Sequence, residues 1–193
     1  MLKLGITGGI GSGKSHVCKL LETIGIAVFY SDIIGKEITN TNPTVRKEIT
    51  NLLGEEAYKN DVVNARFVAK QIFEDADLLK KINGIIHPQV FSQFELWCIQ
   101  HTGDKVVVME SGILFESGFD KYVDKTIVVT APLQIRIDRI MHRDKITYPE
   151  VEARINNQML DEEREAKADY IIKNDGIEHL SSQIFTLLKN INY

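Results

Sequence analysis

Cysteine, proline and tryptophan are scarce in this chain of 193 residues, with two, four and one copies. The two cysteines, Cys18 and Cys98, lie far apart and form no CxxC pair, so we expect buried free thiols and no disulfide framework. Histidine is also rare, and its five scattered copies show no ligand spacing, which argues against a metal cluster. These absences exclude small disulfide-stapled and zinc-finger classes.

The chain also lacks long apolar runs and an excess of positive charge. No apolar segment approaches the roughly 20 residues that a membrane span needs, and no signal peptide pattern is seen. The formal net charge is −4 at pH 7, so the field of the whole protein would not attract nucleic acid or an acidic membrane. We therefore expect a cytoplasmic protein with no nucleic-acid or membrane partner, in which anions are bound locally.

The most informative segment is residues 8–15, GGIGSGKS, which follows a short apolar run and precedes a helical pattern. It fits G-x-x-x-x-G-K-[ST], in which glycines let backbone N–H groups curl around phosphate oxygens. Lys14 is then a point charge for the β- and γ-phosphates, and Ser15 offers a hydroxyl to Mg²⁺. A dinucleotide-binding G-x-G-x-x-G fails, because Lys14 or His16 stands where its last glycine should be. The segment therefore predicts a nucleoside triphosphate site.

Apolar periodicity around this loop predicts an α/β fold. Leu2–Thr7 and Ile26–Tyr30 are typical of buried strands, and a helix between them gives a βαβ unit with parallel strands. Ligands of such sheets bind beyond the carboxyl ends of the strands, so Asp32 should share a crevice with the loop. Phosphoryl transfer to a hydroxyl needs a carboxylate that accepts its proton, which makes Asp32 a candidate base. The alternative is that Ser31 or Asp32 caps the next helix.

The remainder of the chain predicts a helical insertion and three more strands. Residues 33–102 read as helical throughout, with breaks at Thr41-Asn42-Pro43, at Gly54 and at Asn60-Asp61, and with His87-Pro88 opening a new helix. This is too much helix for one crossover, so we interpret it as a helical subdomain. The predicted strands and helices that follow are strands at 105–109, 125–130 and 170–172, helices between residues 132 and 168, and a closing helix at 177–191.

A glutamate and a group of arginines each allow two interpretations. Glu110, at the end of a buried strand, is either a Walker B acid that holds Mg²⁺ through water or an ordinary strand-end carboxylate. Arg136, Arg139 and Arg143 recur at spacings of three and four and share a helix face. This face, with Arg154 and Arg164 beyond it, is either a solvated surface or a lid that closes over the γ-phosphate.

In order and spacing, the motifs of this chain resemble those of the dephospho-CoA kinase family nearly from end to end. Beside the loop at 8–15, the matching segments are Tyr30-Ser31-Asp32, Arg66 with Ile72-Phe73, Ile86-His87-Pro88, Ile113 to Glu116, Arg139 with Arg143-Asp144, Arg154-Ile155 with Gln158, and Ala168 to Gly176. The resemblance implies phosphorylation of the ribose 3′-hydroxyl of dephospho-CoA, dependent on ATP and Mg²⁺, as the last step of coenzyme A synthesis.

The resemblance also implies a fold and a division of the chain. The fold is a P-loop NTPase three-layer sandwich with a parallel five-stranded sheet. The core would comprise residues 1–32, 103–135 and 168–193, with a helical CoA-binding insertion at 33–102 and a helical lid at 136–167. We expect a monomer or a small homo-oligomer.

Carried over position by position, the resemblance implies a role for each site residue. Asp32 would be the base and, with Arg66 and His87, part of the CoA side. The ATP site would comprise Gly11, Ser12, Gly13, Lys14, Ser15, His16, Arg139 and Arg143, and Mg²⁺ would be held by Ser15 and, through water, Glu110. The chain departs from the family at three positions, where His16 replaces a common threonine, Tyr30 the first acid of D-x-D, and Gly112 a proline.

Two other functions fit parts of the pattern. A related kinase that acts on a nucleoside monophosphate or a sugar acid would differ in the helical region that selects the acceptor. A nucleotide-switched binding protein of the GTPase kind would need an N-K-x-D motif, which Asn174-Asp175 does not supply.

Overall fold

This computed structural model has two units, and a parallel sheet of five strands lies at the centre of the first. The structure describes residues 1–73 and 75–193, and it describes Phe73 by its backbone alone. The first unit comprises Met1–Tyr30 and Cys98–Tyr193, and the second comprises Ser31–Trp97. In chain order the elements are β1 (Leu2–Thr7), α1 (Lys14–Thr23), β2 (Ala27–Tyr30), α2 (Ser31–Thr41), α3 (Pro43–Leu53), β3 (Tyr58–Lys59), β4 (Val62–Val63), α4 (Ala65–Phe73), α5 (Ala76–Gln100), β5 (Val106–Glu110), β6 (Lys125–Thr130), α6 (Leu133–Asp144), α7 (Tyr148–Asn156), α8 (Asp161–Ala166), β7 (Tyr170–Lys173) and α9 (Leu180–Asn190).

The sheet of the first unit has the strand order β2-β5-β1-β6-β7, with every neighbouring pair parallel. Glu110 is paired in register with Ile6 on one side and with Tyr30 on the other, so the carboxyl ends of β1, β2 and β5 lie at one level. The α/β class with a parallel five-stranded sheet, predicted from the sequence, is confirmed. This register places the starts of the loops that follow β1, β2 and β5 together at the carboxyl end of the sheet.

The core of the first unit explains why its strands are continuous apolar runs. The central strand β1 pairs with β5 and β6 at its two edges, and helices pack on the sheet. Leu4 and Ile6 are fully buried in a cluster with Val17 of α1 and Leu187 of α9. Burial of side chains from both ends of the chain fixes α1, and with it the loop that precedes α1, against the sheet.

The second unit shows the helix breaks that the sequence predicts. The Asn42 side chain accepts hydrogen bonds from the N–H groups of Thr44 and Val45, and Pro43 is the first residue of α3. Gly54 ends α3 with a φ of 85°, a conformation that glycine adopts without strain.

The prediction that residues 33–102 are helical throughout is wrong at residues 58–63. There β3 and β4 form an antiparallel hairpin closed by two left-handed residues, Asn60 (φ 53°) and Asp61 (φ 63°). Two consecutive positive φ values match the twist of a tight hairpin, and Asn and Asp tolerate them. The side chain of Arg46 donates to the Asp61 carbonyl at 2.8 Å and holds the turn against α3.

The prediction that His87-Pro88 opens a new helix is also wrong, because α5 continues through Pro88. An interior proline removes one helical hydrogen bond and costs about 3 kcal/mol. Ile82, Val90 and Phe94 lie on one face at helical spacing and are buried, and their packing offsets that cost. Neither α5 nor any other helix within residues 1–73 and 75–193 is both long and apolar enough to cross a membrane.

Candidate functional site

The loop between β1 and α1 has the backbone that its sequence predicts. Gly11 and Gly13 have φ values of 80° and 99°, which side chains with a Cβ rarely adopt. Helix α1 begins at Lys14, so the N–H groups of its first turn have no partner within the helix and its dipole favours an anion there. The segment is therefore built to bind phosphate.

A cleft of about 190 Å³ opens on this loop. It is lined by Gly11, Gly13, Lys14, Ser15, Arg139, Ile140 and Arg143. The structure thus brings together six of the eight residues predicted for the ATP site. Of the other two, Ser12 is fully buried in the loop, and His16 is exposed on α1 without lining the cleft.

Protein groups, as well as backbone conformation, exclude a Cβ from the glycines of the loop, as Gly9 and Gly13 illustrate. A Cβ on Gly9 would lie 2.3 Å from a guanidinium nitrogen of Arg136, and a Cβ on Gly13 would lie 2.0 Å from Nδ2 of Asn174. The sequence interpretation attributed these glycines to the tight turn of the loop and to the close approach of phosphate. It missed that residues more than 120 positions further along the chain pack against the loop.

Residues of the C-terminal half bind the polar backbone groups of the loop. Arg139 donates to the carbonyls of Gly11 (3.3 Å) and Ser12 (3.4 Å) and to that of Asn174 (3.0 Å). The Asn174 amide also donates to the Ser12 carbonyl at 2.8 Å. Lys14 donates to the Gly8 carbonyl at 2.8 Å, which keeps its ammonium beside the loop.

Arg136 and Arg164 fit neither interpretation offered for the arginine face. Arg136 is 2% exposed and pairs with Asp161, and its Nε donates to the Ile10 carbonyl at 2.9 Å. Arg164 is fully buried, pairs with Asp161 at 2.8 Å and donates to the Met159 carbonyl. These guanidinium groups hold the α8 segment and the loop in place. The spacing of Asp161 and Arg164, three apart, was the available signal.

Arg143 is the exposed end of the arginine face. It pairs with Asp144 at 2.7 Å, and Arg154 pairs with the same carboxylate at 2.7 Å. The hydrogen bond from Arg143, with the charges of both arginines, holds the pKa of Asp144 below its usual range. Arg143 therefore lines the cleft while it is paired with the Asp144 carboxylate, which is ionised at neutral pH.

Glu110 and Tyr30 lie side by side at the carboxyl end of the sheet. Glu110 is buried, at 6% exposure, as the last residue of β5. Burial raises the pKa of the Tyr30 phenol, and a hydrogen bond with Glu22 and the negative charges of Glu22 and Glu110 add to the effect. Tyr30 is therefore neutral at pH 7 and does not supply the charge of the acid that it replaces.

The oxygen ligands near the loop suit a magnesium ion that is also bound by the phosphates of the nucleotide. Within the described ranges, 1–73 and 75–193, no group of three or more His, Cys, Asp or Glu side chains could hold a metal ion. Ser15, whose hydroxyl oxygen is a hard ligand, is exposed and lines the phosphate cleft. Mg²⁺ is ordinarily bound by one or two side chains with waters and phosphates, and the residues present fit that pattern.

Asp32, Arg66 and His87 belong to the second unit. Asp32 is exposed as the second residue of α2, after Ser31, so it does not occupy the position before the helix that an N-cap requires. A Cβ on Gly35, one turn later, would lie 3.6 Å from Val90 and 3.9 Å from Ile86. Helix α2 therefore adjoins the part of α5 that carries His87.

The other two predicted substrate residues differ in exposure. His87 is half-buried, and burial lowers its pKa, so its imidazole is neutral at pH 7. Arg66 is exposed near the start of α4. A neutral imidazole favours a hydrogen bond over a charge interaction, while Arg66 is available to an anionic group.

Substitution of Gly9 by alanine tests the packing of Arg136 against the loop. The new Cβ would meet a guanidinium that Ile10 and Asp161 hold fixed, so we expect a loss of about 1–3 kcal/mol in the free energy of unfolding. Thermal unfolding should show a Tm lowered by about 2–10 °C. The matched control is Gly103→Ala, where a Cβ would meet nothing within 4 Å. Equal Tm values for the two variants would contradict the argument.

Comparison with known proteins places these features in a family. The family model described as dephospho-CoA kinase matches residues 2–179. A dephospho-CoA kinase of Bacteroides fragilis is 41% identical over 187 residues, which cover 97% of this chain and 91% of the relative. A crystal structure of a Thermus thermophilus protein is similar with a TM-score of 0.87 and 28% identity, over 98% of this chain and 96% of that one. Dephospho-CoA kinase from Campylobacter jejuni has the same fold, with a TM-score of 0.70 and 24% identity over 98% and 96% of the two chains.

Proposed function

The chain belongs to the dephospho-CoA kinase family, and from that premise we propose how its own residues carry out the reaction. It phosphorylates dephospho-CoA to coenzyme A in an ATP-dependent reaction. In the step itself the ribose 3′-oxygen forms a bond to the γ-phosphorus of ATP, the bond from that phosphorus to the β,γ-bridging oxygen breaks, and ADP leaves. The observation that carries the assignment of roles is the cleft in which loop glycines, Lys14 and two arginines meet.

The loop at 8–15 binds the triphosphate in this proposal. Its N–H groups and the start of α1 take the β-phosphate, and the Lys14 ammonium neutralises charge on the β- and γ-oxygens. Arg139 and Arg143 line the same cleft and provide donors for the γ-phosphate. Residues 136–167 then act as the lid, with Arg136 and Arg164 in its fixed base rather than at the phosphates.

In this proposal Ser15 would hold Mg²⁺, and Glu110 would bind it through water. When bound, the ion would neutralise part of the negative charge of the phosphates. Ser15 would supply a direct oxygen ligand from the first turn of α1, next to the residues that line the phosphate cleft. Glu110 would supply a buried carboxyl group at the end of β5, level with the end of β1.

Asp32 is the general base in this proposal. It follows Tyr30 by two residues, so its Cα lies within about 7 Å of the last residue of β2, which is paired with Glu110. Among the described residues of its own unit, no group donates a hydrogen bond to the Asp32 carboxylate or forms an ion pair with it. In this proposal its oxygens orient the 3′-hydroxyl and accept its proton as the bond to phosphorus forms.

The helical insertion at residues 33–102 supplies the CoA side. His87 is neutral and makes hydrogen bonds to the substrate, and Arg66 pairs with one of its phosphates. The adjoining helices α2 and α5 support this assignment, since they bring the turn of Asp32 towards the turn of His87. The acceptor is therefore selected by the second unit, and the phosphates are held by the first.

Release of ADP from ATP and Mg²⁺ tests the reaction and the acceptor together. Dephospho-CoA, a nucleoside monophosphate and no acceptor are assayed in parallel, and the product is identified by its mass. We expect turnover with dephospho-CoA alone and a product heavier by one phosphate. Turnover with the monophosphate instead would identify a related kinase, and equal slow hydrolysis in all three would favour a nucleotide switch.

A further inference from the structure

Ile10 is the one residue of the phosphate loop with a side chain larger than serine before Lys14, and both of its backbone polar groups are bound by side chains from far along the chain. Its N–H donates to Oε1 of Gln158 at 2.8 Å. Its carbonyl accepts from Nε of Arg136 at 2.9 Å. The peptide planes on both sides of the Ile10 Cα are therefore fixed from outside the loop.

Fixing those planes decides where the next N–H groups point. In a trans peptide the carbonyl of one residue and the N–H of the next point in opposite directions. Because the Ile10 carbonyl faces Arg136, the Gly11 N–H faces away from it. The Ser12 carbonyl faces Asn174 and Arg139, so the Gly13 N–H likewise faces away from them.

These two N–H groups are the ones that an incoming phosphate needs. Over residues 1–73 and 75–193, neither the Gly11 nor the Gly13 N–H donates to a protein acceptor. Both glycines line the cleft. Arg136 binds the carbonyl of the peptide plane that carries the Gly11 N–H, and Gln158 fixes the preceding plane, whose Gly9 carbonyl accepts a hydrogen bond from the Ser12 N–H at 3.1 Å. The outer contacts therefore orient the inner donors before any ligand arrives.

We propose that Gln158 and Arg136 are positioning residues that preorganise the loop for the triphosphate, acting through the two peptide planes that flank Ile10. The proposal rests on the function proposed above, in which residues 8–15 bind ATP. Gln158 does not line the cleft, and its effect reaches the phosphates through the backbone alone.

Gln158 also ties the loop to the segment that carries α7 and α8. It lies between those helices, three residues before Asp161, which pairs with Arg136 and with Arg164. One continuous set of contacts thus joins the loop to the base of the proposed lid.

Gln158→Met is the variant that tests the proposal. Methionine keeps the length of the side chain but accepts no comparable hydrogen bond, so the Ile10 N–H loses its partner. Gln158 is only half-buried, so the variant folds more readily than one of Arg136, whose charge is almost wholly buried. The matched control is Gln134→Met, which replaces an exposed glutamine of α6 whose side chain, among the described residues, hydrogen-bonds to Asp138 alone.

Four quantities are measured for the wild type and both variants: the Kd for ATP by calorimetry, the kinetic constants, the exchange rate of the Ile10 amide by NMR, and the Tm. For Gln158→Met we expect ATP to bind about tenfold more weakly. The KM for ATP should rise with it, with kcat and the KM for dephospho-CoA within about twofold of wild type. The Ile10 amide should exchange faster, and Gln134→Met should match the wild type throughout.

Other outcomes overturn the proposal in distinct ways. Faster exchange at Ile10 with an unchanged Kd for ATP would show that the bond is structural only. A loss of ATP and dephospho-CoA binding together, with a large fall in Tm, would show a general loss of structure. If the wild type itself bound no ATP, the proposed function would fail, and that result is separate from any effect of Gln158.

Discussion

Replacing Asp32 by asparagine should lower kcat by about 10²–10⁴-fold, the usual contribution of a general base. Asparagine keeps the size of the side chain and can still hydrogen-bond the 3′-hydroxyl, but it cannot accept the proton. Binding of ATP should stay within about twofold of wild type, because the proposed phosphate contacts lie on residues 8–15 and on α6. Steady-state kinetics with dephospho-CoA and calorimetry with ATP measure the two effects.

The control for this variant removes a charge from an equivalent place in another helix. Asp77 is the acidic residue in the first turn of α5, as Asp32 is in α2, and both are exposed. A carboxylate there contributes about 0.3–1 kcal/mol through the helix dipole. Asp77→Asn should reproduce that small loss of stability and leave kcat unchanged. If Asp32→Asn did no more than this, Asp32 would be an ordinary helix-start carboxylate.

The sheet and the phosphate loop could be predicted because their signals are local. Strands β1 and β6 have the predicted bounds, and helix α1 lies between β1 and β2 as predicted, since each is a short apolar or periodic run flanked by turn residues. The glycine pattern of residues 8–15 directly reports the positive φ values at Gly11 and Gly13.

The roles of the arginines could not be predicted, because they depend on contacts between distant residues. Helical spacing shows that Arg136, Arg139 and Arg143 share a face, but not which end of that face is buried. In the structure Arg136 is 2% exposed while Arg143 is largely exposed, so one face contains both a buried clamp and a cleft residue. The contact of Arg136 with Gly9 joins residues that no short sequence window contains.

The errors in the helical region have different causes. Pro88 is a strong local signal for a helix start, yet packing of buried residues on both sides of it keeps α5 continuous. The Asn60-Asp61 pair was interpreted as a break, but it is the turn of a hairpin. At Pro88 packing therefore overrides a strong local preference, whereas at Asn60-Asp61 the residues that tolerate positive φ were themselves the signal for the hairpin turn.

Replacing Lys14 by alanine should lower kcat/KM by about 10²–10³-fold, as removal of a preorganised donor to a developing charge does. The Lys14 ammonium now bonds the Gly8 carbonyl at 2.8 Å and lines the cleft, so binding of ATP exchanges a neutral acceptor for charged phosphate oxygens. The loss should appear in both KM for ATP and kcat, because charge on the γ-phosphate and the leaving oxygens changes between ground state and transition state. Steady-state kinetics at varied ATP separates the two.

The matched control is Lys19→Ala, an exposed lysine on the same helix that does not line the cleft. It removes the same charge five residues further along α1, so a general field effect would weaken ATP binding in both variants. Lys14→Arg adds a second comparison, because a planar guanidinium replaces a compact ammonium and should not restore activity. Near-normal kcat/KM in Lys14→Ala, or equal losses in the two alanine variants, would show that Lys14 does not contact the phosphates. A selective loss in Lys14→Ala would instead require a local contact with the β- and γ-phosphates, since only position, and not charge, distinguishes the two lysines.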